Sequence, residues 1–306
     1  MSDDVDIRWG LAQRFEFIEW RAYWVGRINR KDLEDQFHIS TPQASLDFKR
    51  YLEAAPGNIE YDGTEKTYVA KPTFEPKFLK LSAERFLRQL QAVKVGAIRL
   101  EDTWFEKMPP ADVIPPITRA SQPYALRAIL QAIEVRKSVT IDYVSLQRQG
   151  PRIICPHALA HDGYRWHVRA LSIERKEYRD YVLARIISVS SRPEACNGDP
   201  ADDVAWHRHI KLRLVAHPGL QPEQKATIEH DFRMRDGKLE LDTRAALAFY
   251  FIRRHNLDLR DHPDMRPERA QLFLENLDEV TAAVEKAKEE SKTLIQRRLK
   301  VAAAED

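Results

Sequence analysis

Polar and basic side chains are concentrated between residues 40 and 50, at spacings that suit contact with nucleic acid. Gln pairs bidentately with adenine, Ser and Thr reach bases or phosphates, and Lys and Arg neutralise phosphates. Lys66 ends a following turn at 63–66, from which it would reach the DNA backbone or the minor groove. The candidate DNA contacts are Ser40, Thr41, Gln43, Ser45, Lys49, Arg50 and Lys66.

A second group of polar side chains lies within and around the strand-like run at 164–171. Because successive side chains of a strand alternate between its two faces, Arg165, His167 and Arg169 share one face and Trp166 joins the opposite, core-packing face. Arg gives bidentate contacts to phosphate, and Tyr or His stacks on a base, so such a face suits a nucleotide. The alternative is a solvated basic face whose Arg stems cover apolar surface. The candidate ligand contacts are Tyr143, Ser145, His157, His167, Arg169, Tyr181 and Arg185.

Sequence motifs that would indicate an enzyme are absent. The chain contains no GxGxxG or GxxxxGK[ST] phosphate loop and no GxSxG elbow. The runs 155–157 and 207–209 could each supply only two metal ligands. A buried structural cysteine and isolated histidines are the better explanation for these residues. We therefore predict a protein that is not an enzyme, with no catalytic residue, no metal and no cofactor. The enzyme alternative is a nuclease whose divalent metal would be held by hairpin carboxylates beside a lysine, namely Glu60, Asp62, Glu65 and Lys66.

Composition restricts where nucleic acid can bind. Charged residues make up 31% of the 306 positions, yet the net charge is only +2, so a DNA contact must be a local patch. No apolar run approaches the roughly 20 residues of a membrane helix, and the acidic start at 1–4 lacks the apolar segment of a secretory signal. Cys155 and Cys196 lie far apart and outside any CxxC pair. These features favour a reduced, cytoplasmic location without a membrane partner.

Helices and a hairpin are predicted to present the first polar group. Apolar spacing predicts a helix over 8–25, a short helix after the cap Asn29, and a third helix with Thr41 as its cap and Pro42 in its first turn. Strand-like runs at 58–61 and 66–71 flank an Asp-Gly pair, which is a strong hairpin signal. Three helices followed by a hairpin are typical of a winged helix-turn-helix.

The alternative for this segment is a three-helix packing module with an ordinary polar surface. Asp47 and Glu65 favour that alternative slightly, because carboxylates repel phosphates. The predicted buried face of the third helix consists of Ala44, Phe48, Tyr51 and Leu52.

Downstream of the hairpin the pattern predicts an α+β multidomain protein. A helix at 123–137 precedes four strands, and a strand–helix–strand–helix series then leads to a long closing helix from about residue 267. The four strands are predicted at 139–143, 152–156, 164–171 and 181–188. The predicted domains are a winged helix-turn-helix at 1–72, a helical connector at 73–120, a ligand-sensing domain at 121–192 and an α/β dimerisation domain at 204–306.

A known family resembles this arrangement over essentially the whole chain. Residues 39–51 resemble the helix-turn-helix of WYL-domain transcriptional regulators, specifically of the BrxR/CapW type associated with bacterial phage-defence loci. Residues 163–170 resemble the family's Trp-Tyr-Leu signature, and 178–186 resemble the strand that follows it. The runs 143–145 and 156–159 also match the pattern.

This resemblance implies a homodimeric regulator, usually a repressor, that binds double-stranded DNA at an inverted repeat near its own operon. It also implies an Sm-like β-barrel WYL domain that senses a nucleotide or an oligonucleotide, followed by a WCX-like α/β domain. The signature departs from the family at His167, which stands where a tyrosine is expected. A two-fold dimer would set its recognition helices about 34 Å apart, or a multiple of that distance. The remaining alternative is an interaction scaffold that uses the long C-terminal helix, which we expect instead to join the dimer contact.

Overall fold

The computed structural model describes residues 9–196, 198–259 and 265–305. The chain forms two compact units, Met1–Pro116 and Ile117–Asp306. Within the described ranges, no helix combines the length and the apolar character that crossing a membrane requires. The four domain boundaries inside these units stay predictions.

Helices and a small antiparallel sheet make up the described part of the first unit. A capping box starts its second helix, since Asn29 Oδ1 accepts from the Asp32 backbone N–H at 3.1 Å and Asp32 Oδ2 accepts from the Asn29 N–H at 2.7 Å. The elements are α1 (Trp9–Trp24), β1 (Arg27–Ile28), α2 (Arg30–Phe37), α3 (Thr41–Ala54), β2 (Ile59–Asp62), β3 (Thr67–Ala70) and α4 (Ala83–Lys94).

The predicted hairpin is confirmed. Strands β2 and β3 pair antiparallel from Ile59↔Ala70 to Asp62↔Thr67, and the strand order is β1-β3-β2. Strand β1 was not predicted, because two residues are too few to show an alternating pattern. The Tyr68 ring of β3 stacks on Phe48 of α3, with the ring centroids 4.4 Å apart. The wing is therefore fixed directly to the third helix.

A buried carboxylate attaches the connector to α1. Glu19 is fully buried, and its oxygens accept backbone N–H groups from Lys77 at 2.8 Å, Phe78 at 2.7 Å and Leu79 at 2.6 Å. The Tyr51 hydroxyl donates to the same carboxylate at 3.2 Å, and burial raises the pKa of that hydroxyl. These bonds give the Pro-containing segment after β3 a defined path, although it has no regular structure.

The first half of the second unit is a five-stranded antiparallel sheet covered by a helix, in the order β7-β6-β5-β4-β8. Its elements are α5 (Pro123–Val135), β4 (Lys137–Val144), β5 (Gln149–His161), β6 (Trp166–Ser172), β7 (Glu177–Val182) and β8 (Ile186–Ala195). Three of the four predicted strands correspond to β4, β5 and β6, whereas the strand predicted at 181–188 is divided between β7 and β8. The predicted Sm-like barrel is not supported. Strand β7 passes through the 3-10 turn Leu183–Arg185 into β8, and no described ladder joins these two edge strands.

The second half of this unit is an α/β module closed by a long helix. The elements are α6 (Val204–His207), β9 (His209–Ala216), α7 (Pro222–Asp231), β10 (Lys238–Arg244), α8 (Ala245–Arg254), β11 (Leu272–Leu274) and α9 (Leu277–Glu305). The strand predicted at 209–216 is confirmed, and the sheet order is β10-β9-β11. The closing helix was predicted to begin about ten residues too early, because β11 pairs with β9 through Leu274↔Leu214 before the helix starts.

Two cysteines that lie far apart in sequence are paired in this structure. Cys155 and Cys196 form a disulfide that joins β5 to the segment after β8, with their Cα atoms 5.6 Å apart. Strand β4 pairs with both β5 and β8, so residues separated by 41 positions in sequence meet beside it. Sequence spacing alone could not reveal this pairing.

Candidate nucleic-acid interface and sensor network

Helix α3 has the burial pattern of a recognition helix. Ala44, Phe48 and Tyr51 are buried against α1 and α2. The cap is Ser40 rather than the predicted Thr41, because the Ser40 hydroxyl accepts from the Gln43 backbone N–H at 3.4 Å. Thr41 therefore occupies the first helical position and remains exposed.

The outward face of α3 carries the predicted contacts. Lys49 and Arg50 are exposed, whereas Gln43 and Ser45 are partly exposed. Gln43 Nε2 donates to Asp47 Oδ1 at 2.8 Å, which orients the amide. One Nε2 hydrogen and the carbonyl oxygen of that amide remain, and these are the groups that bidentate pairing with adenine requires.

Asp47, which seemed to weigh against DNA binding, has a structural role. It is fully buried, and Arg14 Nε lies 2.6 Å from its Oδ2 atom. The carboxylate therefore faces the inside of the unit, and its charge is neutralised there rather than directed at a phosphate. The sequence pattern suggested a surface position for Asp47, because a partner on another helix, here Arg14 of α1, leaves no signal in local spacing.

The wing ends in a tight turn that exposes Lys66. Asp62 Oδ1 accepts from the backbone N–H groups of Thr64 at 2.8 Å and Glu65 at 3.1 Å, and Lys66 adopts a left-handed φ of 52°. Among the described residues, no group of three or more His, Cys, Asp or Glu side chains is arranged to hold a metal ion.

Arg30 was missed as a candidate contact. It is exposed at the start of α2, and its Nη1 atom donates to Ser45 Oγ of α3 at 3.3 Å. A basic residue at a helix N-terminus opposes the helix dipole, and that unfavourable placement was the available sequence signal. The bond places a guanidinium beside the polar face of the recognition helix.

In the second unit, Arg169 lies at the centre of a buried ion network. Its Nε and Nη2 atoms lie 2.8 and 2.9 Å from the two oxygens of Asp203, and its Nη1 lies 3.3 Å from Asp180 Oδ1. His157 Nε2 lies 3.0 Å from the same Asp203. Burial alone would raise the pKa of Asp203, but hydrogen bonds from His157 and Arg169 hold it below its ordinary value. The structure thus brings two predicted ligand contacts together through an aspartate that the sequence analysis missed.

His167 continues this network toward the β5–β6 hairpin. Its Nε2 lies 2.8 Å from Asp162 Oδ2, and its ring packs against Tyr250 of α8 with the centroids 4.7 Å apart. The Nδ1 atom is buried without a hydrogen-bond partner in the part of the chain that the structure describes. Because the carboxylate accepts, Nε2 is the nitrogen that donates in this bond. The Tyr250 hydroxyl donates to Asp180 Oδ2 at 3.0 Å, and this bond connects His167 to the network around Arg169.

Strand β6 has the predicted apolar face, since Val168 and Ala170 are buried in the core, but its polar face is covered rather than open. Trp166, expected in the core, is 50% exposed, whereas His167 and Arg169, expected on the open face, are buried. The C-terminal module is the reason, since Tyr250 and Asp203 cover that face of the strand. Arg169 and His167 are therefore structural groups at the junction of the two halves of the unit.

The other candidate ligand contacts do not share one pocket with Arg169. Tyr143 and Tyr181 pack edge to face in the core at 5.3 Å, and the Tyr143 hydroxyl accepts from the Val182 N–H at 3.0 Å. Ser145 closes the β4–β5 turn by accepting from the Arg148 N–H at 2.9 Å. Arg185 is partly exposed in its 3-10 turn. Of the seven, Ser145, His157 and Arg185 are partly exposed, and the other four are buried.

Exposed rings on the β5–β6 hairpin form a surface that the sequence analysis missed. Tyr164 is 68% exposed, and the Arg254 guanidinium lies 5.1 Å from the centre of its ring. Half-exposed Trp166 lies 4.8 Å from the His161 ring, centroid to centroid. The alternation of strand side chains predicts that Tyr164 and Trp166 share one face. It could not predict the contact with Arg254, because that residue lies on α8, far along the chain. Rings and cations in this arrangement suit stacking of a nucleic-acid base.

Family models of known proteins match three regions of the chain. Family models match the BrxR transcriptional regulator winged helix-turn-helix domain at 10–92, the WYL domain at 124–191 and the BrxR C-terminal dimerization domain at 209–280. A solved chain of proteasome accessory factor B/C from Arthrobacter aurescens covers 93% of this chain and 48% of its own length at a TM-score of 0.25 and 14% identity, a likeness too weak to carry an argument.

Curated relatives match over nearly the whole chain. The DNA-binding transcriptional repressor CapW of Escherichia coli (strain KTE188) is 38% identical over 281 residues, which cover 90% of this chain and 92% of the relative. CapW of Pseudomonas aeruginosa is 39% identical over 89% of this chain and 91% of its own, and that of Stenotrophomonas maltophilia is 35% identical over 91% and 94%. The chain therefore belongs to the BrxR/CapW family of WYL-domain transcriptional regulators.

Proposed function

We propose that this chain is a DNA-binding transcriptional repressor that binds an inverted repeat as a homodimer and acts in the cytoplasm. The observation that carries the proposal is the polar face of α3, where Lys49 and Arg50 are exposed and Gln43 is partly exposed. This face lies opposite the packed inner face of the helix, and the wing is fixed to α3 through Tyr68 and Phe48. The relatives named as DNA-binding repressors and the match to a dimerization domain support it. The resemblance to regulators of phage-defence loci supports the promoter of a phage-defence operon as the target.

DNA binding and its specificity can be tested by fluorescence anisotropy. The probe is a labelled duplex that carries the inverted repeat nearest the chain's own promoter, and a scrambled duplex of equal length is the comparison. We expect one dimer per repeat and an affinity at least about 10³-fold higher than for the scrambled duplex at physiological salt. Equal, salt-sensitive binding to both duplexes would refute sequence specificity.

Charge contacts to the phosphates can be separated from base contacts with matched variants. Lys49→Ala and Arg30→Ala should weaken binding to both duplexes and lower the salt dependence, because each removes one cation from the DNA surface. Lys94→Ala removes an exposed lysine of α4 and should leave both unchanged. If all three variants behave alike, the interface has been placed on the wrong surface.

We further propose that a nucleotide or an oligonucleotide modulates the repressor through its WYL domain. The exposed Tyr164 and Trp166 rings with Arg254 supply stacking and phosphate contacts, and Arg185 supplies another cation. A continuous series of contacts leads inward from this hairpin. His167 packs against Tyr250, and the Tyr250 hydroxyl donates to Asp180. Asp180 pairs with Arg169, which in turn binds Asp203 in the linker between β8 and α6. A ligand that binds one arrangement of this network better than another would shift DNA affinity.

The ligand proposal can be tested with defined probes. A mononucleotide mixture and a ten-nucleotide single strand are titrated into the protein–operator complex, and operator release or tightening is followed by anisotropy. Arg254→Ala and Arg185→Ala should abolish the response while preserving operator affinity, whereas Arg175→Ala, an exposed arginine in the β6–β7 turn, should respond like wild type. An operator affinity that neither probe changes at millimolar concentration would end this proposal and leave the DNA-binding proposal intact.

A further inference from the structure

The Cys155–Cys196 pair lies where the sensor sheet meets the C-terminal module. Cys155 is buried in β5, and Cys196 directly follows β8, in the segment that leads to α6. Their Cα separation of 5.6 Å falls within the range that a disulfide needs without movement of the backbone. The pair packs in an apolar cluster with Leu171 of β6 and Ile295 of α9. A bond between these sulfurs therefore joins β5 to the segment that leads from the first half of the unit into the second.

The covalent bond adds to a set of weaker contacts that hold the same segment. The Cys196 N–H donates to the Arg136 carbonyl at 3.2 Å, and the Tyr178 hydroxyl donates to the Asp199 carbonyl at 2.6 Å. Arg298 of α9 binds Asp202 with its Nε at 2.6 Å. The next residue in this segment is Asp203, which holds Arg169 and His157. The disulfide thus constrains the segment that supplies the central carboxylate of the sensor network.

A pocket gives small molecules access to the pair. A cavity of about 240 Å³ is lined by both cysteines together with His157, Tyr178 and Arg136. Cys196 is only partly buried, so its sulfur is the one that an external reagent would meet. Arg136, which is exposed, borders the same pocket.

We propose that Cys155 and Cys196 form a reversible thiol–disulfide switch that sets the position of this segment and thereby the affinity for DNA. The inference rests on the proposed function, because a DNA-binding repressor works in a reducing compartment, where protein disulfides are usually transient or redox-sensing. In the oxidised form the segment is bound to β5. In the reduced form its contacts are non-covalent, and the Asp203 end of the network can move.

The chemistry is exchange with a low-molecular-weight disulfide, RSSR, of the glutathione class. The Cys196 thiolate attacks one RSSR sulfur, so a mixed disulfide forms and one RS⁻ leaves. The Cys155 thiolate then attacks the Cys196 sulfur, so the protein disulfide forms and the second RS⁻ leaves. Each RS⁻ takes up one of the two protons released by the protein thiols. Two electrons pass from the protein to RSSR, and the reverse exchange with two RSH molecules reduces the pair.

The test equilibrates the full chain in glutathione buffers that span cytosolic to oxidising ratios. Alkylation of free thiols, read by mass, should show both cysteines changing together in one two-electron transition. The oxidised form should unfold about 5–15 °C higher, because the bond restricts the unfolded chain. Operator affinity should differ at least fivefold between the two forms. Cys196→Ser, at the less buried position, should behave in every buffer like the reduced wild type, and Cys155→Ser repeats the test from the other sulfur.

Three results would overturn the switch. They are a pair that stays fully reduced in the most oxidising buffer, a pair that stays oxidised in the most reducing one, and equal operator affinity of the two forms. If neither form binds DNA, the proposed function fails instead. The alkylation transition and the unfolding shift then still decide whether the pair is reversible, because neither measurement uses DNA.

Discussion

Replacing Arg169 with alanine should destabilise the second unit rather than merely remove a ligand contact. The guanidinium is the common cation of Asp203 and Asp180, and Asp203 is fully buried. Removing one partner of a buried pair leaves an uncompensated charge and typically costs about 3–5 kcal/mol. That loss is a large part of the whole stability of an ordinary domain. For a unit of this size it corresponds to a fall of about 6–20 °C in the unfolding temperature.

Urea and thermal unfolding of the full chain, followed by circular dichroism, measure this loss. The matched control is Arg179→Ala on β7, whose ion pair with Glu177 is partly exposed and should contribute at most about 1 kcal/mol. A double variant, Arg169→Met with Asp203→Leu, should recover part of the loss, because it removes the stranded charge together with its partner. A third comparison, Asp180→Asn, keeps the Asp203 contact and should cost less than Arg169→Ala.

An Arg169→Ala protein that unfolds within about 1 kcal/mol of wild type would refute this account of the network. It would mean that water reaches Asp203 and that the arginine is available to a ligand after all, as the sequence analysis predicted. The same outcome would remove the proposed route from the β5–β6 hairpin to the linker.

Other perturbations test separate parts of the molecule. Gln43→Ala should relax base preference at one position of each half-site and cost about 1–3 kcal/mol of operator affinity, whereas wild-type selectivity in a randomised-site competition assay would show that the reading face is elsewhere. Glu19→Gln should cost about 2–4 kcal/mol of the first unit's stability, because an amide has one acceptor oxygen where several N–H donors converge; urea midpoints equal to wild type would contradict this. Lys49→Ala should reduce the slope of log affinity against log salt by about 0.9, and an unchanged slope would remove this lysine from the interface. The pKa of Asp162 and of Asp203 is lowered in the folded chain, so their stabilisation should be complete above their unfolded pKa of about 3.9 and should be lost as the pH falls through the folded values; Asp162→Asn should flatten that loss in urea titrations from pH 5 to 3, and an unaltered profile would assign acid sensitivity to other carboxylates.

Local patterns were sufficient for most of the first unit. The cap at Asn29, Pro42 in the first turn of α3 and the Asp-Gly hairpin all act within a few residues, and the structure contains each of them. Where the prediction was off by one residue, as for Ser40 rather than Thr41, two adjacent hydroxyls compete for the same cap. The inner and outer faces of α3 follow directly from helical spacing, so the candidate DNA contacts could be named from the sequence.

Failures of prediction concentrate where distant segments meet. Asp47 was assigned to the surface because its partner Arg14 lies on another helix. Arg169 and His167 were assigned to an open face because alternation shows which residues share a side of a strand, but not whether another domain covers that side. The disulfide was missed for the same reason, since strand order rather than spacing brings Cys155 to Cys196.

The sequence by itself determined the helix-turn-helix and its hairpin, the series of strands in the sensor, the strand–helix alternation of the C-terminal module and the family. These features depend on periodicity, caps and turn residues, which are properties of neighbouring positions. Only the tertiary structure decided which charged groups are free to meet DNA or a ligand. Arg169 and Asp47 are engaged with buried partners, whereas Lys49, Arg50 and the rings of Tyr164 and Trp166 remain open. The physical reason is that a charge removed from water must find a partner, and that partner is supplied by whichever segment the fold places beside it.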